Sequence, residues 1–240
     1  MSVFLSRAVL RRDASFATLA PLLIPKEDGA RIGAAHRLVW SLFSDGQDRK
    51  RDFLWHEEAP GKFLILSDRP PENLRDLFDL EQKLFAPELK PGDRLAFFLR
   101  ANPVFTTVKP DAEGRRRHDV VMAAIHAAPA KARSRPRAAA LGWAADDGED
   151  AADPVPVAWL KRQGGKAGFA VQTAVVLGYR QLRLPRDGSF GRMGDDLRFS
   201  TVDLEGALTV TEPSAFLAAI RQGFGKAKAF GCGLMLIRRA

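Results

Sequence analysis

The sequence predicts an α+β protein built from two consecutive βαββαβ units, and three observations support this. Segments with strand-like and helix-like apolar spacing alternate along all 240 residues, which excludes an all-helical or all-β fold. The N-terminal residues follow the order strand, helix, hairpin, helix, strand, and the later residues repeat this order more loosely. A chain of this length suits one large domain or two small ones, so we predict domains at residues 1–103 and 104–240.

The first unit is predicted from the spacing of its apolar residues. Alternation over residues 2–10 is typical of a strand, and the recurrence of apolar residues from Ile32 to Phe43 at helical spacing predicts the first helix. Apolar runs at residues 52–56 and 62–66 flank Pro60-Gly61, which predicts a hairpin.

The rest of the first unit contains a weaker and a stronger segment. Residues 72–80 are compatible with a second helix, and the apolar run at residues 94–100 follows Pro91-Gly92 and strongly indicates a strand. The resulting order of elements is that of the ferredoxin-like, or RRM-like, fold.

The second unit carries a charged segment, an insertion and a second set of elements. Residues 127–153 are rich in Ala, Pro and Arg and then acidic, so we interpret them as a basic insertion with little fixed structure. The remaining elements are strands at 104–108, 168–177, 196–204, 208–210 and 234–237, and helices at 157–163 and 214–222.

The charge balance favours a nucleic-acid partner. The chain has 37 Lys and Arg against 29 Asp and Glu, a net charge of +8, and the excess is mostly arginine, which suits bidentate phosphate contacts. Cys232 is the only cysteine, which excludes an intrachain disulfide and a thiolate metal cluster. Because no signal peptide or membrane-spanning run is recognised, we expect a cytoplasmic protein with no membrane partner.

A glycine-rich loop lies near the end of the chain. Gly223, Gly225, Gly231 and Gly233 alternate with apolar residues and enclose two lysines. Bared backbone N–H groups beside lysines suit a phosphate, but a tight turn between the last helix and the last strand explains the glycines equally well. Neither a P-loop nor a dinucleotide-binding fingerprint fits this segment.

Three basic clusters predict an RNA-binding surface. Arginine-rich elements can follow an A-form stem by its shape and its phosphates. Each cluster taken alone could also be a solvated face. The clusters are Arg115, Arg116 and Arg117, then Arg180, Arg183 and Arg186, and finally Lys226 and Lys228.

Candidate catalytic groups are few. No set of Asp, Glu and His has the spacing of metal ligands, and no nucleophile motif is present, so we predict neither a metal nor another cofactor. His36 lies on the first predicted helix beside Arg37. Imidazole carries protons near neutral pH, although a histidine on a helix is more often structural.

Several stretches, in this order, resemble the CasE family, the repeat-RNA endonucleases of type I-E CRISPR systems. The likeness covers nearly the whole chain, and the ordered combination is more specific than any one stretch. The stretches are Phe4–Arg7, His36–Phe43, Arg51–His56, Leu99–Pro103 and Gly223–Leu234.

The resemblance implies tandem ferredoxin-like domains and metal-independent cleavage of the CRISPR repeat RNA hairpin. It also implies that the chain retains the mature crRNA and remains with the other subunits of the Cascade complex. The family's catalytic histidine corresponds to His36, and a basic residue near the scissile phosphate corresponds to Arg37. Gly33 stands where some members have a tyrosine.

Three hypotheses follow. The first is a metal-independent endoribonuclease in which the 2′-OH attacks the adjacent phosphate and leaves 5′-hydroxyl and 2′,3′-cyclic phosphate or 3′-phosphate ends. The second is a non-catalytic RNA-binding subunit of the same fold, which Gly33 favours. The third, a nucleotide-binding enzyme, is disfavoured because no helix follows the glycine-rich loop.

Overall fold

The computed structural model describes residues 2–13, 19–43, 51–73, 76–108, 115–128, 136–143, 153–184 and 196–240. No helix within these ranges has both the length and the apolar character needed to cross a membrane. The strands are β1 (Phe4–Leu10), β2 (Phe53–Ala59), β3 (Lys62–Ser67), β4 (Phe78–Leu84), β5 (Arg94–Ala101), β6 (Val104–Val108), β7 (Arg115–Asp119), β8 (Phe169–Leu184), β9 (Leu197–Val210) and β10 (Met235–Arg239). The α-helices are α1 (Ala20–Leu23), α2 (Asp28–Trp40), α3 (Val120–Ala127), α4 (Pro136–Leu141), α5 (Val155–Ala167) and α6 (Pro213–Gln222).

The first compact unit comprises Met1–Glu88, Gln181–Phe199 and Ala227–Leu234. Its sheet has the antiparallel order β2-β3-β1-β4, and α2 crosses between β1 and β2. This is the strand order of the ferredoxin-like fold, and the predicted strand, helix and hairpin are confirmed. The core between helix and sheet is formed by Ala8, Leu10, Ala35, Leu38, Val39, Leu42, Phe43, Phe53, Trp55, Phe63, Ile65 and Phe78.

Helix α2 begins four residues before the predicted start at Ile32. The carboxylate of Glu27 accepts hydrogen bonds from the backbone N–H groups of Gly29 and Ala30, at 2.9 and 2.6 Å, and so caps the first turn. Gly29 lies so close to strand β8 that a Cβ atom would stand 2.3 Å from the Arg183 carbonyl oxygen. The cap and this close approach fix the N-terminal end of the helix that carries His36.

The second helix predicted for the first unit, at residues 72–80, is wrong. The described part of this segment contains no helix and leads into strand β4, which pairs antiparallel with β1. The Asn73 side chain accepts from the N–H groups of Leu77 and Phe78 and donates to the Phe78 carbonyl. These bonds tie Asn73 to the start of β4, and the backbone N–H and C=O groups of β4 then pair with β1 instead of with one another in a helix.

The second compact unit comprises Leu89–Arg180, Ser200–Lys226 and Met235–Ala240. Its sheet has the order β10-β5-β9-β8, with α5 preceding β8 and α6 preceding β10, which completes a second βαββαβ arrangement. Strand β5 is therefore the first strand of this sheet, and its predicted assignment to the first unit is wrong. The predicted domain boundary at residue 103 does not coincide with the limits of these compact units. As a domain boundary it stays a prediction.

The segment between β5 and α5 has more structure than the sequence indicates. Strands β6 and β7 form an antiparallel ribbon, in which the arginine-rich β7 pairs with Val104–Val108. Part of the insertion predicted to have little fixed structure, residues 127–153, forms helix α4, and Leu141 is buried. The expectation of little fixed structure is wrong for this part, because burial of Leu141 at the end of the helix stabilises it. Residues 129–135 and 144–152 lie outside the described ranges.

Candidate active site

His36 lies on the half-buried flank of α2 and contacts the turn formed by Lys228–Phe230, a short 3₁₀ helix within the glycine-rich loop. Its Nδ1 atom is 2.7 Å from the carbonyl oxygen of Ala229. A carbonyl oxygen can only accept a hydrogen bond, so Nδ1 carries the proton in this contact. In the neutral ring, Nε2 then holds the lone pair, which makes it the atom able to take up a proton.

Aromatic rings surround the imidazole within the first unit. The Phe230 ring lies 5.4 Å from His36, and Phe199 stacks on Phe230 at the same centroid distance. The Trp40 ring meets His36 edge-on at 6.1 Å and packs in turn against Phe53 at 5.1 Å. These contacts fix the plane of the imidazole and remove much of its hydration.

The environment of His36 keeps its ring neutral at neutral pH. Burial lowers the pKa of His36 below its ordinary value of 6.5, and the positive charges of Arg51 and Arg37 lower it further, against the opposing effect of the bond to Ala229. Arg37 is exposed on α2, and Arg51 is half-buried just before β2. The site is therefore a neutral imidazole on which two arginines act.

The Lys228–Phe230 turn depends on two residues with positive φ. Ala227, at φ 53°, enters the turn and Gly231, at φ 75°, leaves it. A Cβ atom at Gly231 would lie 3.0 Å from the indole ring of Trp55, so glycine is needed there for both space and conformation. The Trp55 Nε1–H donates to the same Ala229 carbonyl that His36 binds, at 3.2 Å.

The first part of the glycine-rich loop has a structural role in the second unit. Gly223 ends α6 at φ 75°, and Gly225 also has φ 75°. The backbone N–H of Lys226 donates to the Asn102 carbonyl at 3.1 Å, and the buried Asn102 side chain donates to the Ser200 carbonyl at 2.8 Å. The predicted connection between last helix and last strand is confirmed, and these contacts account for Gly225 without a ligand.

Replacing Gly225 with alanine is expected to destabilise the protein by about 1–3 kcal/mol, the usual cost of a non-glycine residue in this region of φ. The added Cβ atom would also stand 2.6 Å from the Asn102 carbonyl oxygen. Thermal unfolding followed by circular dichroism measures the effect. Gly165→Ala is the matched control, because that helical position has nothing within 4 Å of the new Cβ atom and should gain stability slightly. Equal melting temperatures for the two variants would contradict this explanation.

The other predicted binding residues are placed as follows. The exposed Arg117 lies on β7 opposite Thr106; Arg115 and Arg116 share that strand, and only their backbone is described. Arg180 and Arg183 lie on β8 and form ion pairs with Asp203, at 3.6 Å, and Asp196, respectively. Lys226 is exposed, Gly233 is buried with φ 96°, and Arg186 lies outside the described residues. Of this set, the structure brings the turn containing Lys228 into contact with the helix of His36.

Sequence reasoning missed three residues of this site. Arg51 has no predicted role, although its charge lowers the pKa of His36. Its position directly before a buried strand is the one feature of the sequence that could have drawn attention to it. Ala229 and Trp55 gave no signal, because a backbone carbonyl and a core indole acquire their importance only from what they face. Within the described ranges, no three His, Cys, Asp or Glu side chains are placed to hold a metal ion.

Comparison with known proteins agrees with the two ferredoxin-like sheets. The model of the family described as CRISPR associated protein matches residues 3–239. The chain is 27% identical over 222 residues to the CRISPR system Cascade subunit CasE of Escherichia coli (strain K12), covering 90% of this chain and 96% of that protein.

Two further comparisons involve Cse3. The chain is 30% identical over 163 residues to the CRISPR-associated endoribonuclease Cse3 of Thermus thermophilus, covering 65% of this chain and 60% of that protein. A structure of CRISPR endoribonuclease Cse3 bound to a 19-nucleotide RNA superposes with a TM-score of 0.63 at 25% identity, covering 99% of this chain and 100% of that chain.

The chain belongs to the CRISPR-associated protein family, whose model spans nearly its whole length. Within that family it is a member of the CasE group of type I-E systems, as the predicted resemblance implied.

Proposed function

We propose that this chain is a metal-independent endoribonuclease that cuts CRISPR repeat hairpins in precursor crRNA through attack by the RNA's own 2′-OH. The observation that carries the proposal is the His36 ring, held by Ala229 through Nδ1 so that Nε2 can accept a proton. The named activity of Cse3, an endoribonuclease, supports it.

His36 is proposed as the general base. The lowered pKa keeps the ring neutral, which favours removal of the 2′-OH proton over donation of a proton to the 5′-oxygen. In an in-line displacement the attacking and leaving oxygens lie on opposite sides of phosphorus, so one imidazole serves only one of them. Gly33 has no side chain to supply the second proton transfer.

The cations around His36 are proposed to stabilise the charge that grows on the phosphoryl oxygens. Arg37 is exposed on the same helix, Arg51 stands before β2, and Lys228 begins the turn that His36 contacts. Fixed positive charges near a developing oxyanion lower the barrier most where water is partly excluded, and the aromatic rings that contact His36 support this role.

The predicted RNA-binding residues are proposed to hold the hairpin. Arg117 is exposed on the β6–β7 ribbon, and Arg183 has a side chain 69% exposed despite its ion pair with Asp196. A two-stranded ribbon lined with arginine suits the phosphates of an A-form stem. The same role is proposed for Arg115, Arg116, Arg180, Arg186, Lys226, Lys228 and the glycines Gly223, Gly225, Gly231 and Gly233.

The proposed partners are the repeat hairpin, the mature crRNA and the other Cascade subunits. The Escherichia coli relative is named as a Cascade subunit, and the Cse3 structure holds a 19-nucleotide RNA. Retention of the product is consistent with the net charge of +8, which favours binding of RNA before and after the cut.

The test of this function is cleavage of a labelled repeat hairpin in the presence of EDTA. We expect full cleavage and products that end in a 5′-hydroxyl and a 2′,3′-cyclic phosphate or 3′-phosphate. The ends are identified by whether polynucleotide kinase labels the downstream product without prior phosphatase treatment. Loss of cleavage in EDTA that Mg²⁺ restores, or a 5′-phosphate end, would overturn the proposal.

The pH dependence of cleavage tests the base role of His36. A base must be unprotonated, so the single-turnover rate should rise with pH up to the pKa of His36, below 6.5, and then level off. Arg51→Gln removes a repelling charge, which raises the pKa of His36 and moves the rise to higher pH. Arg7→Gln, at an exposed arginine of the same unit that does not act on His36, should leave the profile in place. A rate that falls as pH rises through this range would show that His36 acts as an acid.

A non-catalytic RNA-binding subunit is the second candidate, favoured by Gly33 in place of a tyrosine. The two candidates differ in one assay. A protein that shifts the labelled hairpin on a native gel but leaves it intact through prolonged incubation is a binding subunit only.

A further inference from the structure

The Ala229 carbonyl oxygen accepts two hydrogen bonds from side chains of the first unit. One donor is His36 Nδ1 at 2.7 Å, and the other is Trp55 Nε1 at 3.2 Å. Both donors are far from Ala229 in sequence, on α2 and β2, so the carbonyl joins a helix and a strand to the same turn. The oxygen has two lone pairs, one for each donor. Removal of either donor leaves the Ala229 carbonyl with one hydrogen bond fewer.

The indole of Trp55 is itself held in place. Only 2% of Trp55 is exposed, and its ring packs edge-to-face on Phe63 at 5.7 Å. On its other side the turn passes so close that a Cβ atom at Gly231 would lie 3.0 Å from the ring. The position of the indole therefore sets the position of the turn and of the carbonyl that faces His36.

We propose that Trp55 is a positioning residue, whose indole N–H holds the Ala229 carbonyl where it keeps the His36 proton on Nδ1 and leaves Nε2 to face the RNA. This rests on the proposed function, in which His36 acts as the base. The tautomer of a histidine is set by the hydrogen bond that its other nitrogen makes. Residue 55 therefore has to supply a fixed N–H donor, and the indole need not react.

The test uses two variants that remove the indole N–H, of which one also loses ring atoms beside Gly231 and the other keeps them. Trp55→Phe keeps an aromatic ring on Phe63, and 3-benzothienylalanine placed at position 55 keeps the full two-ring shape while replacing N–H by sulfur. Neither alters Arg37 and Arg51, whose charges act on His36, or Lys228 in the neighbouring turn. Trp143→Phe is the control for loss of an indole N–H elsewhere, because this half-exposed tryptophan donates to the carbonyl of Val176 at 2.7 Å.

Two readouts are needed, because a loss of stability can lower the cleavage rate but does not change the tautomer of the folded protein. The first is the His36 tautomer in the RNA-free protein, read from ¹⁵N chemical shifts of the imidazole and assigned by its absence in His36→Ala. The second is single-turnover cleavage, separated into the maximal rate and the concentration for half-saturation. We expect a single Nδ1–H tautomer in the parent and in Trp143→Phe, and a mixture of tautomers in both variants at position 55.

The cleavage rate should fall as the fraction of His36 in the Nδ1–H tautomer falls. A catalytic histidine that loses its orienting partner can lose up to about 10⁴-fold in rate, and here the partner remains but is less firmly held, so we expect roughly 10- to 100-fold at unchanged half-saturation. An unchanged tautomer and rate with benzothienylalanine would overturn the positioning role. Failure of the proposed function would give a different result. The parent protein would not cut the hairpin, while the His36 tautomer would still depend on Trp55.

Discussion

The His36→Ala variant is expected to cut the repeat hairpin about 10²–10⁴-fold more slowly than the parent, the usual contribution of a positioned proton carrier. Alanine removes the imidazole that the Ala229 carbonyl orients, and with it the group proposed to take the 2′-OH proton. Binding of the uncut hairpin should change little, because the proposed RNA contacts are made by arginines and lysines. Single-turnover rates and filter-binding isotherms on the same preparation measure the two quantities.

Two further variants separate chemistry from folding. His36→Gln retains an N–H group able to donate to Ala229 but cannot carry a proton at neutral pH, so it should be as slow as His36→Ala with a higher melting temperature. His126→Ala, at an exposed histidine on α3, is the matched control and should cut at the parental rate. Cleavage by His36→Ala at the parental rate would remove His36 from the mechanism.

A hairpin with a single 2′-deoxy nucleotide on the 5′ side of the scissile phosphate is expected to resist cleavage completely. The 2′-hydroxyl is the proposed nucleophile, and neither a stronger base nor a cation can replace a missing nucleophile. Binding should persist, because one hydroxyl is a small part of the recognition of an A-form stem. The uncut analogue should therefore compete with labelled hairpin at nearly its own affinity.

The matched control moves the same deoxy substitution one nucleotide in either direction. Those hairpins keep the nucleophile at the scissile position and should be cut at rates close to that of the unmodified RNA. If the hairpin lacking the scissile 2′-OH is cut, the nucleophile is water, and the role of His36 must be sought in activating that water.

Much of the first unit could be predicted because its elements are set by local spacing. The period of the apolar residues defined α2, and Pro60-Gly61 between two apolar runs defined the β2–β3 hairpin. The failures involve pairing over long distances in the chain. Strand β4 replaces the predicted helix because β1 offers it a partner, and β5 joins the second sheet because β9 and β10 flank it there.

The candidate site divides in the same way. His36 and Arg37 were predicted from the sequence because the resemblance to the CasE family places its catalytic histidine and a basic residue at these positions. The glycine-rich loop was recognised, but Gly225 and Gly231 are explained here by contacts with Asn102 and Trp55, which spacing could not show. Their proposed contacts with RNA remain predictions.

The sequence by itself determined the α+β class and the basic character of the chain, and the resemblance to the CasE family singled out His36 among four histidines as the candidate for proton transfer. The class and the charge belong to single residues or to their neighbours in sequence, where side-chain chemistry and periodicity suffice. The tertiary structure decided what His36 can do, since the Ala229 carbonyl that directs its proton lies 193 residues away. A backbone carbonyl is the same in every residue, so only folding could select the one that binds this imidazole through Nδ1.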